Sequence, residues 1–249
     1  MKHVFILFGI FSFGLANASG RDVVVSAAVS LRDLFTELKL EFEKENSEYN
    51  LRFNFAGSGT LRSQIEAGAP VDLFVSASQK DVEILGREGF VVGSTPKIVG
   101  SNALVLVAKK ESSLILFNLK SLAEVKFEKM AIGNPLTVPA GRYAKESLES
   151  FDLYPKIESR LVFSEHVRQA VDYLRRGEVE LAIVYKTDAL KFSKDLKIIF
   201  EIPSSYHKRI EYPMALVKGS RRQKFYSLWT TFLEMKKTKE IIKKHGLGS

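Results

Sequence analysis

The sequence predicts an α/β protein of two lobes, each a mostly parallel sheet flanked by helices. Short apolar runs, typical of buried strands, alternate along the chain with segments whose apolar residues recur at helical spacing. This alternation is typical of strand–helix–strand units, which form parallel sheets. The 249 residues are enough for one large domain or two small ones. Because no Pro/Gly-rich linker interrupts the chain, we expect the lobes to be joined by two hinge strands rather than by a flexible tether.

Three strand–helix repeats are predicted before residue 90. Runs rich in Val, Leu and Phe predict strands at 22–28, 51–56 and 71–77. Each run is followed by apolar residues three or four positions apart, which is the spacing of one helix face. These residues predict helices around 31–42, 61–65 and 82–89. The last of these helices is expected to end near Gly89, because glycine is typical of helix C-termini.

The rest of the chain continues the alternation. Apolar runs predict strands at 104–108, 130–133, 180–185, 196–202 and 210–217. Helical spacing predicts helices at 143–151, 167–174, 225–235 and 241–245. Gly177 is placed to stop the second of these helices.

Composition and charge exclude several classes of protein. A charged fraction of 27% and an aromatic fraction of 11% are those of a globular chain, so wholesale disorder is excluded. The lack of Cys excludes zinc fingers, iron–sulfur clusters, thiol catalysis and a disulfide scaffold. The net charge of +8 permits anionic partners. The lysines are scattered as on a solvated surface, and no basic run reaches the length of a nucleic-acid-binding arm.

Residues 1–18 have the pattern of a cleaved secretory signal peptide. A short basic start precedes the apolar run 4–15, and small residues stand at Ala16 and Ala18. The run is shorter than the about 20 residues that a membrane-spanning helix needs. No Cys is present for lipid attachment. We therefore expect an exported chain, located in the periplasm, with no membrane insertion after cleavage.

Candidate binding residues lie where strands end and helices begin, because ligands of open α/β sheets bind beyond the carboxyl ends of strands. Ser30 follows the first strand, and Ser58 follows the second strand between two glycines. Ala140 follows a proline that suits the first position of a helix. Val167 begins a later helix, and Tyr185 ends a buried strand. Hydroxyls and free helix N–H groups in such places favour anion capture.

Each of these features also has a purely structural interpretation. Ser30 and Ser164 are of a type that caps helices, and Gly57-Ser58-Gly59 is typical of a tight turn. Tyr185 can serve packing, and His166 suits a helix surface. No Lys stands where a phosphate-binding P-loop needs one. No carboxylate pair stands out, and no His spacing matches a metal site.

Two longer motifs carry a resemblance to a known family. The more telling is TLRSQIEAGAPVDLF at 60–74, and VPAGRYAKE at 138–146 is nearly as specific. Together with the junctions above, they make the chain resemble the periplasmic molybdate-binding proteins of ABC transporters. The similarity covers essentially the whole mature sequence.

The resemblance implies a two-lobed periplasmic binding protein of class II type. Lobe I would comprise 19–99 and 212–249, and lobe II would comprise 100–211, with hinge strands near 103–107 and 212–217. Such a protein is expected to be a monomer without a cofactor. It would close around its ligand and be presented to a membrane ABC permease.

The same resemblance implies the ligand and its contacts. The family holds a tetrahedral dianion between the lobes, here molybdate and with it tungstate. Carried over by motif, Ser30 and Ser58 would bind from lobe I. The N–H groups of Ala140 and Val167 and the hydroxyl of Tyr185 would bind from lobe II. No residue is expected to coordinate the metal directly.

Three positions depart from the family pattern. Gly57-Ser58-Gly59 stands where the family often has a serine-rich turn, so selectivity could differ. Asn134 and His166 stand where an Asp is common. These two changes remove negative charge near the site and leave the five ligand positions intact.

Arginines near the first turns of the junction helices suggest a further hypothesis. A cation at a helix N-terminus opposes the helix dipole, so local helix stability does not explain these residues. We expect either a basic rim that steers anions into the cleft or four solvated arginines. The residues are Arg32, Arg62, Arg142 and Arg168.

Other functions stay open on the sequence alone. The same fold could bind another oxyanion such as sulfate, which also carries no proton. A serine hydrolase using Ser58 is a different class, but no His or Lys stands at a recognisable partner position. Nucleic-acid binding is suggested by net charge alone, and export argues against it.

Overall fold

The computed structural model describes residues 22–248, so the signal-peptide prediction for 1–18 lies outside the described residues. The strands are β1 (Asp22–Ala28), β2 (Asn50–Ala56), β3 (Leu73–Val75), β4 (Val91–Ser101), β5 (Leu104–Lys109), β6 (Met130–Gly133), β7 (Leu161–Ser164), β8 (Leu181–Tyr185), β9 (Leu196–Ile202) and β10 (Glu211–Val217). The helices are α1 (Arg32–Glu45), α2 (Ser58–Glu66), α3 (Gln79–Arg87), α4 (Pro139–Glu149), α5 (Tyr154–Ile157), α6 (Val167–Arg176), α7 (Lys186–Lys191), α8 (Gln223–Glu234) and α9 (Lys236–Lys244).

The strands form two five-stranded sheets of the same topology. The first sheet has the order β2-β1-β3-β10-β4 and the second has the order β7-β6-β8-β5-β9. In each sheet four strands point the same way, because helices return the chain to the starting edge between them. The reversed strands are β10 and β5, and each of these enters from the other sheet. Each sheet is therefore mostly parallel, as the alternating pattern predicts.

The chain passes between the sheets twice. The first passage lies between the end of β4 at Ser101 and the start of β5 at Leu104, and the second lies between β9 and β10. The N–H of Asn102 donates to the carbonyl of Ile210 at 3.1 Å, which ties the two passages together. The strands predicted as hinges, 103–107 and 212–217, each lie in one sheet, directly after a passage.

The central strands of the second sheet are buried on both faces. Every residue of β6 and β8 is buried, which is the pattern of strands covered by helices on both sides. The helix α6 packs an apolar stripe against this sheet and ends at Gly177, whose φ of 77° is left-handed. The stripe consists of Val167, Ala170, Val171 and Leu174.

The C-terminal helices return to the first sheet and pack on its helix α1. Phe42 of α1 makes edge-on ring contacts with Phe225, Trp229 and Phe232 of α8. Such pairs contribute about 0.5–1.5 kcal/mol each beyond the area they bury. This packing places α8 against α1, the helix that follows β1 of the first sheet. Within residues 22–248, no helix has the length and apolar character needed to cross a bilayer.

Candidate functional site

All five predicted ligand positions line one small cavity between the two sheets. The first sheet and its helices contribute Ser30 and Ser58 to its wall. The second contributes Ala140, Val167 and Tyr185. The remaining lining residues are Ala28, Val29, Ala56, Gly57, Ala77, Val138, Pro139 and His166. The two lobes are thus closed upon each other at the strand ends where the sequence places the site.

Ser30 lies in the short helical turn Val29–Leu31 between β1 and α1. The expectation that it caps a helix is wrong, because the residue before α1 is Leu31 and the side chain of Ser30 makes no capping bond. Instead its hydroxyl lies 3.2 Å from the hydroxyl of Tyr212 on β10. Ser30 is therefore held by a strand far away in the sequence, with its side chain on the cavity wall.

Ser58 is the first residue of α2, directly after Gly57. Its Oγ accepts a hydrogen bond from the N–H of Ala77 at 3.0 Å, and the residue is 1% exposed. Since its oxygen already accepts, the single proton of the hydroxyl is free to point into the cavity. The side chain is thus placed as a donor.

Two helices of the second lobe direct their N-termini at the cavity. Pro139 is the first residue of α4, so Ala140 presents one of the N–H groups that have no partner inside the helix. Val167 is the first residue of α6. The positive ends of these helix dipoles favour a negative charge in the cavity.

His166 is the N-cap residue of α6, which the sequence did not indicate. Its Nδ1 accepts from the N–H of Gln169 at 3.1 Å, and the residue lines the cavity. Burial lowers the pKa of His166, so the ring is neutral at neutral pH. Ser164, predicted as a cap, instead donates to the carbonyls of Ile132 and His166.

Tyr185 ends β8 with a fully buried side chain. Its hydroxyl has no hydrogen-bond partner among the described residues. Burial raises the pKa of Tyr185 well above its ordinary value, so the hydroxyl keeps its proton. A buried donor without a partner costs about 1–3 kcal/mol, and this cost is removed when an acceptor enters the cavity.

Two glycines permit the close approach of the lobes. The N–H of Gly59 donates to the carbonyl of Thr137 in the second lobe at 3.0 Å. A Cβ on Gly59 would lie 2.3 Å from that oxygen, and a Cβ on Gly57 would lie 2.8 Å from the carbonyl oxygen of Glu165. At Gly57 and Gly59 the two lobes therefore meet through backbone atoms, at a distance that leaves no room for a side chain.

Three of the four arginines pair with carboxylates, so they do not form a free basic rim. Arg142 of α4 pairs with Asp81 of α3 at 2.5 Å, across the lobes. Arg62 also pairs with Asp81 and with Glu66. A carboxylate beside a guanidinium cancels most of the long-range field of that guanidinium. Paired in this way, these two arginines attract distant anions only weakly.

A second ion pair joins the lobes on another side of the cavity. Arg168 of α6 pairs with Asp33 of α1 and with the fully buried Asp188 of α7. Burial raises the pKa of Asp188 to about 7, against the opposing effect of Arg168. Burial would also raise the pKa of Asp33, but hydrogen bonds and charge from Lys191 and Arg168 hold it below its usual value. Arg32 lies over the ring of Phe55 at 4.7 Å.

Sequence reasoning missed a polar network beside the cavity. The hydroxyl of Tyr212 is bonded to the side chain of Asn102 at 2.8 Å, and Asn102 is bonded to Thr187 at 2.9 Å. The ring of Tyr212 meets the ring of Tyr185 edge-on, with centroids 6.1 Å apart. Tyr212 gives no local signal, because it lies in a strand remote in sequence from Ser30.

The chemistry of the cavity is that of hydrogen-bond donors. Hydroxyls and helix N–H groups surround it, and within residues 22–248 no group of three or more His, Asp or Glu side chains is placed to hold a metal ion. Such a wall suits an anion whose oxygens only accept hydrogen bonds.

Comparison with known proteins gives one family over nearly the whole described chain. Residues 23–248 match the family described as bacterial extracellular solute-binding protein. The molybdate-binding protein ModA of Haemophilus influenzae is 33% identical, covering 96% of this chain and 95% of its own. ModA of Escherichia coli is 35% identical, covering 94% and 91%.

Solved structures show the same fold. The periplasmic molybdate-binding protein of Azotobacter vinelandii superposes with a TM-score of 0.80 at 22% identity. The match covers 91% of this chain and 99% of that one. At this identity the superposition concerns the fold, which is the two-sheet α/β arrangement described above.

Proposed function

This chain belongs to the family of bacterial extracellular solute-binding proteins, and we propose that it captures molybdate between its lobes and delivers it to an ABC permease. The relatives that carry the name molybdate-binding protein match it along almost their full length. The function is therefore binding for transport, and the cavity between the lobes is the binding site. Tungstate, of the same charge and shape, is a second ligand.

One observation supports this proposal above the others: the cavity is walled by donors from both lobes. Ser30, Ser58, Ala140, Val167 and Tyr185 all line the same small cavity, and their hydroxyls and first-turn N–H groups are the donors that we assign to the anion. An anion bridging these groups stabilises the closed arrangement, because it binds both lobes at once. Helix N-termini and neutral hydroxyls stabilise its charge without a fixed counter-ion.

Molybdate fits this donor set better than phosphate does. Molybdate carries no proton at neutral pH, whereas hydrogen phosphate carries one that would meet no acceptor on such a wall. An unmatched donor in a buried site costs about 1–3 kcal/mol. Sulfate is also free of protons but smaller, and it stays the alternative ligand. The names of the full-length relatives favour molybdate.

A hydrolase using Ser58 is not favoured by the geometry. The oxygen of Ser58 accepts from the N–H of Ala77, and a nucleophilic serine needs a base that takes its proton. His166 lines the same cavity, but its Nδ1 is occupied by the N–H of Gln169. We therefore propose a non-enzymatic role with no cofactor.

The proposed location of the protein and its proposed partners rest on the family and on the signal peptide predicted at residues 1–18. We propose that residues 1–18 are removed on export and that the chain acts in the periplasm as a monomer. Lobe I, residues 19–99 and 212–249, and lobe II, residues 100–211, close on the anion. The closed form is the one presented to the membrane permease.

Thermal unfolding tests the function directly. The chain from Ser19 is stripped of anions and unfolded with molybdate, tungstate, sulfate or phosphate. A ligand at 100 times its dissociation constant stabilises the protein by about 2.7 kcal/mol. Stabilisation by molybdate and tungstate alone is the expected result. Stabilisation by sulfate alone would change the ligand, and no shift with any anion would overturn the proposal.

A further inference from the structure

We propose that Tyr212 and Asn102 are positioning residues that turn the hydroxyl of Ser30 into a one-way donor toward the anion. The proposal rests on the function proposed above and adds to it a source of selectivity. It follows from the bonds that leave each group only one choice of donor or acceptor.

Asn102 is the fixed end of this chain of bonds. The N–H of Ala103 donates to its Oδ1 at 2.9 Å, which identifies the oxygen of the side-chain amide. Nδ2 therefore supplies both remaining contacts, to Thr187 Oγ1 at 2.9 Å and to the Tyr212 oxygen at 2.8 Å. An amide nitrogen has two protons and no lone pair to offer, so Tyr212 must accept.

The bond from Asn102 fixes the direction in which the Tyr212 hydroxyl donates, which is toward Ser30. Its hydroxyl has one proton, and the bond from Asn102 occupies its oxygen. The other neighbour is the Ser30 oxygen at 3.2 Å, so the Tyr212 proton points there. Burial raises the pKa of Tyr212, and the side chain is 0% exposed. The proton is therefore present throughout the physiological pH range.

Ser30 then keeps its own proton for the cavity, because Tyr212 does not accept it. Its oxygen accepts from Tyr212, so the hydroxyl hydrogen is directed away from Tyr212 along the cavity wall. The bond from Ala77 gives Ser58 the same polarity. Both hydroxyls of the first lobe are thus set as donors, and each is set by a group of that lobe.

The orientation matters for discrimination between anions. A freely rotating serine can accept a proton from hydrogen phosphate as readily as it donates to molybdate. A serine that already accepts from Tyr212 can accept from a protonated oxyanion only with its second lone pair, which turns its own hydrogen away from the anion, so the complex loses a donated bond. The network thus contributes selectivity against protonated anions as well as affinity for molybdate.

Tyr212→Phe removes the link while keeping the ring. Titration calorimetry gives the dissociation constant of molybdate, and competition gives that of hydrogen phosphate at pH 8. We expect the ratio of the dissociation constant for hydrogen phosphate to that for molybdate to fall about tenfold. Tyr226→Phe is the matched control, because its hydroxyl contacts the Met214 carbonyl at 3.5 Å outside the cavity lining, and its ratio should not change.

Asn102→Asp reverses the chain of bonds. A carboxylate only accepts, so Tyr212 would donate to it and Ser30 would donate to Tyr212, leaving lone pairs toward the anion. We expect molybdate binding to weaken about a hundredfold in the wild-type background. In the Tyr212→Phe background, the loss of molybdate affinity caused by Asn102→Asp should be smaller by a factor of at least about ten, because only the effect of the added charge remains.

Three results are decisive. Equal effects of Asn102→Asp in both backgrounds, or an unchanged selectivity ratio in Tyr212→Phe, overturn the positioning role. Unfolding of each variant without ligand separates lost binding from lost folding. Failure of the wild-type chain to bind molybdate overturns the proposed function together with this inference, whereas wild-type binding with an unchanged ratio overturns the inference alone.

Discussion

Arg142 on α4 of the second lobe lies 2.5 Å from Asp81 on α3 of the first lobe, and this ion pair spans the binding cleft. The side chain of Asp81 is 2% exposed and that of Arg142 is 13% exposed. The pair therefore lies in a partly desolvated place, where charges interact more strongly than on a surface. Together with the pair of Arg168 and Asp33, it adds an electrostatic contribution to the contact between helices of the two sheets.

Arg142→Gln should shorten the lifetime of the molybdate complex. Loss of one partner leaves Asp81 with Arg62 alone, so we expect the dissociation rate to rise about tenfold. The association rate should change less than about twofold, because the pair joins the two lobes and so acts mainly on the lifetime of the closed form. Stopped-flow measurement of molybdate binding and release gives both rates.

Arg32→Gln is the control for the effect of net charge. Arg32 is exposed and lies over the ring of Phe55, and within residues 22–248 it forms no ion pair across the cleft that its substitution could break. Its substitution should leave the dissociation rate unchanged. A slower association with a reduced salt dependence in Arg142→Gln, at an unchanged dissociation rate, would instead support steering by this arginine.

Asp188 should make the stability of the protein depend on pH. Its folded pKa is raised from 3.8 to about 7 by burial, so the folded state binds a proton that the unfolded state has released. The contribution of Asp188 is therefore fully present below about pH 4 and is lost as pH rises to about 7, at a total cost of a few kcal/mol. Urea unfolding between pH 4 and pH 8 measures this.

Asp188→Asn isolates that contribution. In this variant the free energy of unfolding should no longer fall between pH 4 and pH 7. At pH 8 the variant should be more stable than the wild type. Asp33→Asn is the comparison, because the pKa of Asp33 is lowered in the folded protein. Ionised Asp33 stabilises the folded protein at pH values above its unfolded pKa, and this contribution is lost as the pH falls. Parallel pH profiles for wild type and Asp188→Asn would contradict the assignment.

Some strands could be predicted from the sequence with their correct bounds. β1 and β6 begin and end where their apolar runs do, because a strand covered on both faces of its sheet is a nearly continuous apolar segment. The strand β4 was missed. It lies at an edge of the first sheet and contains Gly93, Ser94 and Pro96, residues that ordinarily end strands.

The positions of the site could also be predicted, but their bonding could not. Strand ends and helix starts are local patterns, so Ser58, Ala140 and Val167 could be placed at the cavity. Whether Ser30 caps a helix or meets another residue depends on Tyr212, which lies 182 positions away. The pairing of the arginines likewise depends on how the lobes meet. Contacts of this kind arise only when the sheets are brought together.

Gly59→Ala should block closure without harming the first lobe. The added Cβ would lie 2.3 Å from the Thr137 carbonyl oxygen, and backbone cannot move aside as a flexible side chain does. We expect molybdate affinity to fall at least about a hundredfold, as the closed form loses several kcal/mol. The unfolding temperature without ligand should stay the same or rise, because Ala favours a helix over Gly by about 1 kcal/mol.

Gly86→Ala is the matched control for this change. Gly86 also lies in a helix, and its added Cβ would meet only the side chain of Val91 at 3.9 Å. Its affinity for molybdate should equal that of the wild type. Equal affinity of the Gly59→Ala protein would show that binding does not require the lobe contact at Thr137.

Tyr185→Phe should stabilise the free protein and weaken binding. The hydroxyl of Tyr185 is buried without a partner among the described residues, so its removal should raise the free energy of unfolding by about 1 kcal/mol. The bound anion loses a charge-assisted donor, and its affinity should fall about tenfold to a hundredfold. Thermal unfolding with and without molybdate shows both effects in one series. A hydroxyl that served packing alone would change stability and leave affinity untouched, whereas opposite signs in the two measurements identify a donor held ready for the ligand.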